Sequence, residues 1–413
     1  MKKSSFYILF AILAFSAASA LAQDNQALWG QAMQQFNAKQ YTEAIESFKQ
    51  YAARVPAESA APYNIGMAYY NMGQYDNAIP NYQQAMRLKN PWPEANYFTA
   101  MSHYGVKRYS EALPFFKEAV RLKPDYSDAY IFMGNTLDYL GQYNEAIAAY
   151  VRASELVPGD AQIYYEIGVA HARQKNDKAA IEMYEKCLSL DPNHKSALYN
   201  LALKYETAKT IDEAIPLLDK AIKAGYDTGE AHWELGRLYN KKNRYNDALP
   251  LLVEAVRLIP DKIGPRYQLG IAYNGLRNFP QAIETFNEAI KINPNDADVQ
   301  LNLGDSYYNN GKYAEAIPYY KKAVELSPKW ISAHNYLGDA YKGAGEYNMA
   351  IASYNNTLAI DAKNVDAIYG IGTVYVSQKK LDLARQQKAK LDVLDQSMAA
   401  NLQTKIDAAA APQ

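Results

Sequence analysis

An alanine returns every 34 residues along most of this 413-residue chain, eleven times in succession and without an insertion or deletion. A fixed period of this length indicates one supersecondary unit that is repeated and stacked, because a single unit cannot bury its apolar side alone. The 34-residue period therefore predicts a repeat architecture instead of several unrelated globular domains. The periodic residues are Ala44, Ala78, Ala112, Ala146, Ala180, Ala214, Ala248, Ala282, Ala316, Ala350 and Ala384.

Three further places of the repeat carry a restricted choice of residues. We number the 34 places of a copy so that the periodic alanine is place 20, which puts copy one at residues 25–58 and copy eleven at 365–398. Place 8 is always Gly or Ala, place 24 is Phe or Tyr in eight copies, and place 27 is Ala in seven. Small residues beside large ones predict helices that pack closely, layer after layer.

Two more places mark where helices end. Place 32 is proline in seven copies, and proline ends a helix because it lacks an N–H group and its φ is fixed. Place 15 is Gly, Lys, Arg or Asn, which is typical of a short turn with little steric bulk. Each copy therefore predicts a helix, a tight turn and a second helix.

The stretch NLGDSYYNNGKYAEAIPYYKKAVELSPK, residues 302–329, resembles the tetratricopeptide repeat (TPR), whose motif joins Leu-Gly and Tyr in one helix to Ala, an aromatic and Pro in the next. The resemblance covers nearly the whole chain after the first two dozen residues. It implies an all-α solenoid, a right-handed superhelix of eleven 34-residue helix–turn–helix units within residues 23–398. A capping helix is expected to end within residues 399–413, followed by a frayed tail.

The first 22 residues have a different character from the repeats. Two lysines precede an apolar run over residues 6–18, and Ala20, Leu21 and Ala22 follow. This plan is typical of a secretory signal peptide that is cleaved after Ala22. The alternative is an uncleaved membrane anchor, since the apolar stretch approaches spanning length. Cleavage predicts a periplasmic or secreted protein with no membrane insertion of the mature chain.

Composition and motifs offer little chemistry. Lys and Arg number 43 against 44 Asp and Glu, a balance that argues against nucleic acid as a partner. Cys187 is the only cysteine and lies at place 27, where core packing explains it. The sequence has no metal-ligand spacing and no glycine-rich phosphate loop. We therefore expect no catalytic residues, no bound metal, no cofactor and no enzymatic activity.

The family resemblance also implies a binding surface. In TPR proteins places 2, 5, 6, 9, 12 and 13 of the first helix line a concave groove that holds a peptide or a helix. Place 5 is aromatic in eight copies and place 6 is polar in copies five to nine. This pattern is suited to binding an extended peptide segment. The competing interpretations are packing on the next copy and simple solvation. The candidate partner-binding residues are Tyr165, Glu166, Tyr199, Asn200, Trp233, Glu234, Arg237, Lys241, Tyr267, Gln268, Asn302 and Asp305.

Charge is distributed unevenly over these places. Basic residues gather in copies five and seven, whereas acidic residues follow in copies nine and ten. This arrangement predicts a groove that changes sign and favours a ligand with acidic and basic ends. The residues are Arg173, Arg237 and Lys241 on one side and Asp298, Asp305 and Asp339 on the other.

These observations predict a non-catalytic scaffold of the bacterial cell envelope that binds a peptide or protein segment, or that assembles a multi-protein envelope complex. A glycan-binding module for peptidoglycan or polysaccharide is the alternative, and self-association is a third hypothesis. The carboxylate clamp of cytosolic TPR chaperone adaptors is absent, because Ile131 stands where the clamp needs lysine, beside Asn135.

Overall fold

The computed structural model of the protein describes residues 2–208 and 210–411, with side chains from residue 20 onward apart from residue 208. Within these residues the chain forms twenty-three α-helices and no β-strand. The predicted all-α solenoid class is confirmed, since within residues 2–190 and within residues 211–410 every helix packs against the next one in chain order. The chain separates into two compact units, Met1–Lys204 and Tyr205–Gln413.

The helices follow the repeat. In the first unit they are α1 (Lys2–Asn37), α2 (Tyr41–Arg54), α3 (Ala60–Asn71), α4 (Tyr75–Leu88), α5 (Pro93–Gly105), α6 (Tyr109–Leu122), α7 (Ser127–Tyr139), α8 (Tyr143–Leu156), α9 (Ala161–Arg173) and α10 (Asp177–Leu190). Helix α11 (Lys195–Ala208) has residues in both units. The second unit continues with α12 (Ile211–Lys223), α13 (Gly229–Lys241), α14 (Tyr245–Leu258), α15 (Ile263–Gly275), α16 (Phe279–Ile292), α17 (Ala297–Asn309), α18 (Tyr313–Leu326), α19 (Ile331–Gly343), α20 (Tyr347–Ile360), α21 (Val365–Ser377), α22 (Leu381–Leu394) and α23 (Gln396–Ala410).

The turn inside each copy depends on one residue with left-handed backbone. We call the first helix of a copy helix A and the second helix B; place 15 lies between them. Its φ is positive in all ten copies where it is described, for example 60° at Lys107 and 75° at Gly141. The sequence pattern was therefore correct about the turn, but the backbone conformation, and not low bulk, selects the residue: Gly adopts it freely, and Lys, Arg and Asn accept it at some cost.

The core is built from the places that the period singled out. In copy four the ring of Tyr150 lies fully buried against Gly134, where an added Cβ atom would stand 2.5 Å from the ring. Ala146 and Ala153, at places 20 and 27, are completely buried in the same layer. The predicted packing of large rings against small residues is thus confirmed.

At the C-terminal end, a leucine of the last helix takes the space that the large residue at place 24 fills in the other copies. Copy eleven has Lys388 where the others carry a large apolar residue, and Lys388 pairs with Asp392 at 3.0 Å. Leu402 of α23 fills the space above Gly372 instead, since a Cβ atom added to that glycine would lie 2.5 Å from the leucine side chain. The predicted capping helix is confirmed; it runs through Ala410, and residues 412–413 lie outside the described part.

The N-terminal segment belongs to the long helix α1, whose backbone starts at Lys2. Met1 and the side chains of residues 2–19 lie outside the described part of the chain, so the predicted signal peptide at residues 1–22 stays a prediction. Across the helices that the structure does describe, none has the length and apolar character needed to cross a bilayer.

Candidate functional site

Successive helices A lie side by side and present one common surface in each unit. Helix α3 contacts α5 and α5 contacts α7 in the first unit, and α13, α15, α17, α19 and α21 follow each other in the same way in the second. We define the helix-A face as the side chains at places 5, 6, 9, 12 and 13 of the helices A in each unit. All candidate residues from the sequence stand at these places.

The candidate tyrosine of copy five packs on its neighbours. Tyr165 is half-buried, with its ring centroid 4.9 Å from His194 and 6.0 Å from Tyr184. Its hydroxyl accepts a hydrogen bond of 3.3 Å from the Nδ2 of Asn200 in the next copy. The tyrosine at place 5 and the asparagine at place 6 of the next copy are therefore joined across the copy boundary.

The same arrangement recurs in the second unit. Asn302 donates from Nδ2 to the Tyr267 hydroxyl at 3.3 Å, and the Tyr267 ring centroid lies 6.2 Å from that of Phe286. The indole of Trp233 packs against Gly264 of the following copy, and a side chain at that glycine would clash with it. Trp233 therefore packs on the next copy, whereas the rings of Tyr165 and Tyr267 pack within their own copies and reach the next copy by a hydrogen bond.

Two more residues at place 6, Gln268 and Glu166, are held by hydrogen bonds. Asn240 donates from Nδ2 to the backbone oxygen of Gln268 at 2.8 Å and to its side-chain oxygen at 3.1 Å. Glu166 accepts from Gln162 at 2.6 Å, and burial raises the pKa of its carboxyl. Tyr199 is half-buried. Binding of a ligand main chain by these groups stays a prediction.

The basic residues of copy seven belong to a four-membered ion network. Arg237 donates to Glu206 at 2.8 and 2.5 Å and to Glu234 at 2.8 Å, while Lys241 reaches Glu206 at 2.6 Å. The hydrogen bond from Arg237 is the main reason why the pKa of Glu206 falls to about 2. Glu206 was missing from the sequence candidates, although an acid at place 12 one copy before an arginine at place 9 was a signal for it.

The expected positive end of the face is therefore neutralised. Two cations meet two carboxylates in the copy-seven network, and Arg173 forms an ion pair with Asp138. Because these charges are satisfied internally, the surface there offers less net charge to a ligand than the sequence pattern indicated.

Place 9 accepts hydrogen bonds from the core tyrosines. Tyr320 donates from its hydroxyl to Asp305 at 2.7 Å, and Tyr150 donates to Asn135 at 2.7 Å in copy four. Burial raises the pKa of Asp305 to about 6, and the bond from Tyr320 opposes this shift. The Asp305 carboxyl is therefore held at the base of the helix-A face by the hydroxyl of the buried Tyr320.

The most aromatic part of the face lies in copies three and four, which supplied no candidate. Tyr104 packs on Phe132 and Tyr139, with ring centroids 5.7 and 6.0 Å apart. Tyr139 also stacks on Tyr109 at 4.5 Å with the ring planes nearly parallel, and it is 59% exposed. Sequence reasoning passed over these copies because it favoured polar neighbours at place 6, where Phe98 and Phe132 stand.

Comparisons with known proteins agree with this architecture. Family models described as tetratricopeptide repeat or TPR repeat match residues 63–127, 179–225, 199–263 and 267–329, 134–175 and 338–379, 161–194 and 26–57. The first of these models alone matches more than half of the chain. A comparison with curated protein sequences gave no match.

Several solved structures are similar to parts or most of the chain. MamA (41-end) from Desulfovibrio magneticus RS-1 is 22% identical, covering 41% of this chain and 97% of that one with a TM-score of 0.39. A MamA structure designated MSR-1 is 29% identical, with coverages of 41% and 97% and a TM-score of 0.38. The APC/C hetero-tetramer Cut9-Hcn1 is 15% identical, with coverages of 94% and 96% and a TM-score of 0.47.

Proposed function

Because the chain belongs to the tetratricopeptide repeat family, we propose that it is a non-catalytic protein–protein interaction scaffold of the bacterial cell envelope. In this proposal a peptide or protein segment binds on the helix-A face. The family assignment supports protein binding as the general role. The secretory signal predicted from the sequence of residues 1–22 is the support for a location outside the cytosol.

One observation carries the proposal: the aromatic cluster of copies three and four, which exposes the ring of Tyr139. Tyr139 and Tyr109 form a stacked pair, and Tyr104 and Phe132 continue the surface behind them. The Tyr139 ring is 59% exposed and already stacked on Tyr109, so it loses little conformational freedom when a partner covers it. Aromatic residues also dominate the energetics of protein interfaces.

The absence of a catalytic role is also part of the proposal. In the described part of the chain, no three His, Cys, Asp or Glu side chains lie close enough together to hold a metal ion. Burial raises the pKa of the Cys187 thiol to about 12, so this cysteine is a poor nucleophile at neutral pH.

Site-specific crosslinking tests the proposal. Tyr139→p-benzoylphenylalanine places a photoreactive ring on the helix-A face of the first unit, and Lys241→p-benzoylphenylalanine does the same in the second. We expect crosslinking in intact cells to give one or a few discrete protein adducts, identified by mass spectrometry.

The matched control is Val253→p-benzoylphenylalanine, since Val253 is 47% exposed on helix B of copy seven. Identical adducts from position 253 and from the face, or no protein adduct from either face position, would contradict the proposal.

A glycan-binding role is the second candidate, and the stacked pair Tyr109–Tyr139, of which Tyr139 is exposed, is the observation that favours it. Aromatic rings with one free flat side are suited to apolar contact with a sugar ring. Pull-down of the purified mature chain on murein or polysaccharide distinguishes the two functions. Retention that is lost in Tyr139→Ala would support the glycan candidate over the protein scaffold.

A further inference from the structure

The second unit has a small cavity on its helix-A face, between copies nine and ten. Its volume is about 260 Å³, and its walls come from α17, α18 and α19. Three tyrosine rings, one amide and two carboxylates line it: Tyr308, Tyr320, Tyr336, Asn309, Asp305 and Asp339. A space of this size suits one long side chain better than a folded ligand.

The cavity carries more negative than positive charge. Among the described residues no cation forms an ion pair with Asp305, whose hydrogen-bond partner is the neutral Tyr320 hydroxyl at 2.7 Å. Asp339 accepts from Tyr354 at 2.7 Å and from Lys342 at 2.8 Å. Two carboxylates therefore share one cation, and that cation lies three residues from Asp339 on the same helix.

Packing of the repeat does not require the charge on Asp305. In copy four the same place holds Asn135, which accepts the same hydrogen bond from Tyr150 at the same distance of 2.7 Å. Placing a carboxylate in a half-buried site costs free energy unless a counter-charge is supplied. Asp305 of copy nine and Asp339 of copy ten are both such carboxylates, and both line the same cavity.

We propose that this cavity binds an arginine side chain of a protein partner, with the guanidinium between the carboxylates of Asp305 and Asp339 and in contact with the tyrosine rings. Guanidinium is suited to this environment because it forms planar hydrogen bonds to carboxylates and stacks on aromatic rings. The inference rests on the proposed scaffold function and assigns to it one recognition element. It locates that element at the acidic end of the helix-A face.

A small-molecule titration tests the cavity without any knowledge of the partner. The probes are Nα-acetyl-arginine amide and its neutral isostere Nα-acetyl-citrulline amide, added to full-length mature protein labelled at tyrosine. NMR follows the ring signals of Tyr308 and Tyr336, assigned with Tyr308→Phe and Tyr336→Phe. We expect saturable shifts with the arginine amide and none with the citrulline amide over the same concentrations.

Two variants of matched charge change decide the assignment. Asp305→Asn reproduces the natural Asn135 arrangement and should keep the fold, while it weakens arginine binding roughly ten-fold. Glu315→Gln removes a carboxylate that is exposed on α18 and should leave binding unchanged. Circular dichroism confirms that both variants are folded.

The inference is overturned if the arginine amide gives no saturable shift, if both amides shift the rings equally, or if Asp305→Asn binds like the parent. None of these results depends on the crosslinking at positions 139 and 241. If the helix-A face crosslinks to protein but the cavity does not bind the arginine amide, this inference is rejected and the proposed scaffold function is not.

Discussion

At the scale of single residues, one hydroxyl group decides how a copy is packed. Copies with tyrosine at place 24 all have glycine at place 8, and in copies four, nine and ten the hydroxyl donates to a polar side chain at place 9. In copy two the Tyr82 hydroxyl donates to the sulfur of Met67 at the same place. Copies with phenylalanine have Met or Ile at place 9, namely Met33, Met101 and Ile271. A buried hydroxyl needs a hydrogen-bond partner, and in these four tyrosine copies the residue at place 9, one helix away, accepts from it.

Gly134→Ala tests this coupling. Its new Cβ atom would lie 2.5 Å from the Tyr150 ring, and the ring cannot retreat without losing its hydrogen bond to Asn135. We expect a loss of roughly 1–3 kcal/mol in the free energy of unfolding, measured by urea denaturation. Gly30→Ala is the control, because nothing lies within 4 Å of that position in helix α1. It should be neutral or stabilise by up to about 1 kcal/mol, and equal effects at both sites would refute the argument.

The pH dependence of stability reports on Asp305. Its pKa in the folded protein is raised to about 6, whereas an unfolded Asp titrates near ~3.9. The folded state therefore binds more protons between these values, and this carboxyl lowers the free energy of unfolding as pH rises from about 4 to about 6. Above that window its effect is constant.

We expect Asp305→Asn to gain stability over the parent by roughly 2 kcal/mol between pH 4 and pH 7, since the amide has no charge to bury. Urea denaturation at several pH values measures the difference. Glu315→Gln, exposed on α18, should show a change within a few tenths of a kcal/mol. If the curves of Asp305→Asn and the parent run parallel, the raised pKa is wrong.

At the scale of elements, helix α23 covers the apolar side of the last repeat copy. A stack of identical helix pairs always exposes one apolar side at its end, which a more polar helix has to cover. Helix α23 does so with Ala399, Leu402 and Ile406, all of them buried. Its N-terminus is capped by Asp395, which accepts from the backbone N–H of Met398 at 2.9 Å.

Leu402→Ala should destabilise this end by roughly 2–5 kcal/mol, because it opens a cavity above Gly372. Hydrogen exchange followed by mass spectrometry should show faster exchange in α21, α22 and α23 and little change in α13 to α16. Val393→Ala provides the comparison: Val393 is 86% exposed on α22, so its effect should stay within about 0.5 kcal/mol. Uniform acceleration over the second unit would mean that α23 does not protect a local end.

At the scale of the whole molecule, the balance of charge bears on how the proposed scaffold would meet a partner. The formal net charge is −1 at pH 7, so association with a partner depends on local surfaces such as the aromatic face more than on long-range attraction.

Export makes a prediction about the mature chain. Cleavage after Ala22 should give a protein that begins at Gln23, as measured by intact mass and N-terminal sequencing of the periplasmic or secreted fraction. Ala22→Trp should block processing, because the cleavage site requires a small residue, and the uncleaved form should remain with the membrane fraction. A mature protein that still carries residues 1–22 would identify the segment as an anchor.

The sequence by itself determined the period, the two helices of each copy, the turn at place 15 and the buried places 8, 20, 24 and 27. These features follow from residue spacing within one copy, which the covalent chain and helix geometry fix. The tertiary structure alone decided which polar residues on the helix-A face are already engaged. Tyr165 with Asn200, and Arg237 with Glu206, are joined across copy boundaries; their distances depend on how copies stack, and no spacing inside a single copy contains that information.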